Sequence, residues 1–141
     1  MPRAAGLAGL LLLVAAGIAC AQDADVAAAR ASALAQLEAF RQGDFDRAYT
    51  YASVVIREQF GREAFERMVR LGYPQIAAPA TVTMDGAERA PNGSVFLFLR
   101  VRGADGVAVE AVYEMVLEAG AWKVNGVVTP SPVGVAMLKL K

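Results

Sequence analysis

Histidine is absent from this chain, and cysteine occurs once, at Cys20. The first absence removes every relay in which an imidazole passes a proton, and most zinc sites with it. The second leaves no disulfide within the chain, so the fold has to stand on its apolar core. A glycine-rich phosphate loop of the G-x-x-x-x-G-K kind is also missing. Charge of one sign is missing too: 14 basic residues face 14 acidic ones, and nothing favours nucleic acid or an anionic membrane surface. The sequence therefore points to no metal and no cofactor.

Only one long apolar run is present. "GLAGLLLLVAAGIA" follows Arg3 and leads to Ala19-Cys20-Ala21 before Gln22. This run is shorter than the roughly 20 residues that span a bilayer. Ala19 and Ala21 put small residues at the two positions a signal peptidase reads, so residues 1–21 are expected to be a signal peptide. The protein is then exported, periplasmic or secreted, with no membrane span. Acylation of Cys20 as a lipid anchor is the alternative, with Gly17 standing where a lipoprotein box carries a larger aliphatic residue. The remainder is long enough for one domain and too short for two. Residues 22–130 are taken as that domain and residues 131–141 as a tail.

Periodicity divides the domain in two. From residue 25 to 41, Val26, Ala29, Ala33, Leu37 and Phe40 recur at spacings of three and four, the stripe of a helix. Gly43 stops it and Asp44 caps a second helix, whose stripe is expected to run Phe45, Ala48, Tyr49, Ala52, Val55 and Ile56. A third helix carries Phe65, Met68 and Val69 inward and ends at Gly72-Tyr73-Pro74. From there the period is two. Four strands are expected, joined by Asn92-Gly93, by the loop containing "GADG" and by Ala119-Gly120. Three helices before an antiparallel meander make an α+β fold, N-terminal helices packed on one face of a curved four-stranded sheet.

"FRQGDFDRAYTYAS", "GYP" and "AWKVNGVV", in that order, give the chain a likeness. It resembles the bacterial family called domain of unknown function 4864, whose element order is similar to the cone-shaped fold of nuclear transport factor 2 and ketosteroid isomerase. The resemblance implies that fold and an exported bacterial setting, and no activity. Folds of this kind host enzymes, binders and scaffolds alike.

Alternation assigns the sheet faces. Val95, Leu97, Leu99, Val101, Val107, Val109, Ala111, Tyr113, Met115, Leu117, Trp122, Val124 and Val128 are expected to face the helices. The other face mixes charge with Phe96, Phe98, Val112 and Val116, an apolar patch that suits a homodimer or another partner protein. A two-residue Asn92-Gly93 turn places Glu88 opposite Leu97 and pointing inward. A two-residue Ala119-Gly120 turn sets Tyr113 opposite Gly126. A bulge at Gly86 instead turns Glu88 outward and Ala87 inward.

Three functional readings follow. The first is a small-ligand-binding or accessory module with an apolar pocket between helices and sheet, lined by Tyr49, Leu97, Tyr113, Met115 and Trp122. The second is a cofactor-free isomerase or lyase in which Glu88 moves a proton and the Tyr113 phenol stabilises the developing oxyanion. The site logic is that of ketosteroid isomerase, a standard illustration of it, without a residue-by-residue match. The third is an assembly module acting through Phe96 and Phe98. Tyr113 also has a plain structural reading, as a core tyrosine whose hydroxyl meets a backbone partner.

Overall fold

The computed structural model describes the backbone of residues 5–130 and the side chains of residues 23–130. The expectations for Ala19, Cys20 and Ala21 and for the tail at 131–141 lie outside those described side chains.

α1 (Ala5–Arg41) ends where glycine lets the backbone turn over. Gly43 takes φ +72, its N–H bonds Phe40 O at 2.9 Å, and the Asp44 N–H bonds Ala39 O at 2.8 Å, which satisfies two carbonyls the helix end would otherwise leave open. Asp44 then caps α2 (Phe45–Thr50), its carboxylate accepting from the Arg47 N–H at 3.0 Å. The α1 stripe is buried from Ala29 to Phe40 as its spacing predicts, with Val26 half-buried, and Ala29 and Ala33, both fully buried, let the helix lie close against the sheet.

The second helix is shorter than its stripe. It stops at Tyr51, and α3 (Val54–Gln59) begins after Ser53. Between them Ala52 forms a parallel bridge to Val124. The Ser53 N–H donates to Val124 O at 2.8 Å, and the Val124 N–H to Tyr51 O at 2.8 Å. The free edge of the last strand takes these backbone groups and outcompetes helix continuation, while the Ser53 hydroxyl caps the Ile56 N–H. Val55, expected inward, is exposed.

α4 (Arg62–Gly72) buries Phe65 and Val69. α5 (Pro74–Ala77) starts directly on Pro74, whose missing N–H costs nothing at a helix start.

The strands β1 (Pro79–Arg89), β2 (Val95–Gly103), β3 (Ala108–Glu118) and β4 (Ala121–Val128) form one antiparallel sheet in the order β1-β2-β3-β4. α1 touches all four strands, so helices cover one face of an open sheet and the class is α+β. Leu97 stands opposite Tyr113 and Arg100 opposite Glu110, as the alternation and the loop length between β2 and β3 require.

A longer turn and two bulges alter the rest. The β1–β2 turn is a four-residue turn, not two: Gly93, at φ +91, donates to Ala90 O, and the Ala90 N–H donates to Ser94 O. Pro91 occupies its second position, where its fixed φ fits. With this turn Ala87 pairs with Leu97 and Glu88 with Phe96, and Asp85 is an extra residue between Met84 and Gly86. Asn125 is the second extra residue, and Tyr113 therefore faces Val127 in the register where Gly126 was expected. The same bulge turns Val128 to the outer face, opposite Val112. Val107, in the turn before β3, and Leu117, at the sheet end, reach beyond the helices and are exposed, against the expectation that they face inward.

Candidate functional site

Between the helices and the β3–β4 half of the sheet lies a cavity of about 270 Å³. Its sheet side is Tyr113, Val124, Gly126 and Val127, its α1 side Gln36 and Phe40, and its α4 side Phe65, Met68 and Val69. Ile56, Phe60, Tyr73 and Ile76 complete the rim. Gly126 stands opposite Glu114 on the outer face and meets the cavity through its backbone. One local choice keeps this space open. Ala52, drawn onto the β4 edge by its bridge, presents only a methyl group. The Phe40 and Phe65 rings stack at 6.1 Å, and Tyr49 meets Phe65 at 5.1 Å, which fixes the aromatic wall.

The polar atoms of the lining are mostly committed. The Gln36 amide, in the middle of the α1 stripe, donates to Ala48 O at 3.1 Å and ties α1 to α2. The Tyr73 hydroxyl donates to Val127 O at 3.0 Å. Tyr113 differs. It is fully buried, and its hydroxyl has no hydrogen-bond partner among the described residues, where a backbone partner was expected. Burial, with a smaller push from Tyr73, raises the Tyr113 pKa from its ordinary value, so the phenol stays protonated and able to donate.

A buried hydroxyl left without a partner costs roughly 1–3 kcal/mol. Tyr113→Phe, which removes that hydroxyl and keeps the ring, is therefore expected to raise the stability of the free protein by about 1 kcal/mol in a urea melt. A loss of stability would mean that the hydroxyl is already satisfied.

Glu88 is not part of this site. It is exposed on the outer face beside Phe96, and Tyr113 points to the helix side, so the carboxylate and phenol do not share a cavity. The longer turn sets Glu88 opposite Phe96, and the Asp85 bulge lets Val82 and Met84 still pack on the helix side. The proton-transfer pair drawn from the register of a two-residue turn does not form.

Of the residues proposed as pocket lining, Tyr113 alone borders the cavity. Leu97 and Met115 are wholly buried in the core, and Trp122 nearly so. Tyr49 packs behind Phe65, its hydroxyl donating to Phe60 O at 2.7 Å. The lining comes chiefly from helices, whereas the strand pattern drew attention to the sheet. One signal for it was present in the chain: Gln36, a polar residue on the stripe between Ala33 and Phe40.

On the outer face Phe96, Phe98, Val112 and Val116 are half-buried, with the exposed Val128 beside Val112. A second hollow, between α1 and β1, is larger at about 350 Å³. The exposed Glu38–Arg41 ion pair borders it, and neither of the buried unpartnered polar atoms lies in its lining. Among the described residues no cluster of acidic or thiol side chains is placed to hold a metal ion, and no helix is long and apolar enough to cross a membrane.

No curated protein and no solved structure matches the chain. A family match does exist and spans residues 22–135, covering every residue that lines the cavity. The chain belongs to the family described as Domain of unknown function (DUF4864).

Proposed function

We propose that the protein is a small-ligand-binding module that holds one apolar, ring-sized molecule between its helices and its sheet. The reading is carried by a cavity of about 270 Å³ that is lined almost wholly by apolar and aromatic side chains. A cavity of roughly 150 Å³ already accepts benzene, and sites for drug-sized ligands start at roughly 300 Å³. The occupant is thus a single ring with a substituent or a short branched chain. Helices followed by a four-stranded meander, with a cavity between the layers, support a likeness to the cone fold of nuclear transport factor 2. On this reading the binder works after export, its leader cut before Gln22, which the first residue of the secreted protein decides.

Toluene titrated into the ¹⁵N-labelled domain is the test. Saturable shifts are expected at the Val69, Gly126 and Val127 amides, with a Kd of about 0.1–1 mM for a probe of this size. The Kd is expected to stay flat from about pH 5 to pH 9, because among the described residues no carboxylate, lysine or histidine lines the cavity and Tyr113 titrates above that range. Shifts that fail to saturate, or that fall on the outer sheet face, would remove the binding reading.

A further inference from the structure

The cavity is mainly apolar, with Gln36, Tyr73 and Tyr113 as its polar lining residues. Tyr113 lies on the sheet side of the space with its hydroxyl buried and unpartnered among the described residues, while Gln36 and Tyr73 already donate to backbone carbonyls. Among the described residues no cationic side chain borders the space. From this placement, and resting on the binding reading above, we infer that the ligand class is an uncharged apolar molecule carrying one neutral hydrogen-bond acceptor, such as a ketone, ester or ether oxygen, which accepts from the Tyr113 hydroxyl.

The chemistry narrows the class in two ways. A carboxylate or phosphate entering the cavity loses its hydration and meets no cation to offset that loss. A pure hydrocarbon fills the space but leaves the phenol as it is in the free protein. A neutral acceptor is the group that gains a bond here without a charge to desolvate. That bond forms away from water, where a donor already desolvated by the fold needs no further stripping. Tyr113 thereby selects among molecules of similar size, which the apolar wall cannot do, because shape alone separates isosteres weakly.

Three probes of matched shape test this: acetophenone, α-methylstyrene, in which a CH₂ group replaces the carbonyl oxygen, and benzoate. Each is titrated by NMR into the wild-type domain and into Tyr113→Phe, with a thermal melt to show that the variant is folded. Acetophenone is expected to bind the wild type and to weaken about tenfold in Tyr113→Phe, while α-methylstyrene changes less than about twofold. Benzoate is expected to bind neither. The carbonyl stretch of bound acetophenone should move to lower frequency in the wild type and return in the variant, a signature that a purely structural role for the hydroxyl would not give. If both neutral probes bind and Tyr113→Phe weakens them equally or not at all, the acceptor assignment is overturned and the binding reading survives. Benzoate bound as tightly as acetophenone overturns the uncharged class. If neither neutral probe binds the wild type, the cavity is not a ligand site and both readings fall together.

Discussion

Trp122→Ala is expected to destabilise the domain by about 3–5 kcal/mol, the cost of truncating a large aromatic side chain in a packed core. Trp122 stands on β4 across from Leu117, faces the helices and is 5% exposed. It lies two residues before Val124, whose backbone anchors the Tyr51–Ser53 joint, so the void would open beside the tie that joins helices to sheet. A domain of this size has about 5–15 kcal/mol in total, and the melting temperature is expected to fall by more than about 10 °C. A variant melting within a few degrees of the parent would show that Trp122 does not face the helices.

Phe65→Ala is expected to cost a similar amount, about 3–5 kcal/mol, but to respond differently to an added ligand. Phe65 is 4% exposed, stacks on Phe40, meets Tyr49 and borders the cavity. Its removal enlarges a space that is already there. A small aromatic hydrocarbon such as toluene fills the enlarged space with a Kd about tenfold tighter than in the parent. At a toluene concentration equal to the parent's Kd, the variant is therefore expected to gain roughly 1.4 kcal/mol against about 0.4 kcal/mol for the parent. Trp122→Ala, whose void lies outside the cavity lining, is expected to recover no more than the parent gains. Equal responses of the two variants would mean that the void at Phe65 is not continuous with the binding space.

The parts of the fold set by neighbours in sequence were legible. The α1 stripe, the Gly43-Asp44 joint and the pairing of Leu97 with Tyr113 depend on local spacing, on one glycine and on a loop whose length can be counted. What escaped was set by the backbone of a distant element. Ser53 breaks a helical stripe because β4 offers its edge, and nothing between residues 45 and 56 records where that edge lies. The longer turn after β1 and the bulge at Asn125 each shift a register by one, and each reverses a face: Glu88 goes outward in β1 and Val128 in β4. Gly86 marked the first possibility, whereas the longer turn from Ala90 to Gly93 stood against the two-residue turn expected at Asn92-Gly93. The candidate site was legible only at Tyr113. Its other walls belong to helices whose apolar faces are evident in the chain, but whose placement against the sheet is a matter of long-range packing, in which Ala29, Ala33 and Ala52 are buried.

The central claim is that a ligand sits in the cavity between helices and sheet, and intermolecular NOEs test it most directly. With the domain ¹³C-labelled and toluene unlabelled at saturation, cross-peaks are expected from the bound ring to the Met68 methyl, to the Val69 and Val127 methyls and to the Tyr113 ring. Cross-peaks confined to Phe96, Phe98 and Val128 on the outer face, or none at saturating toluene, would contradict the account.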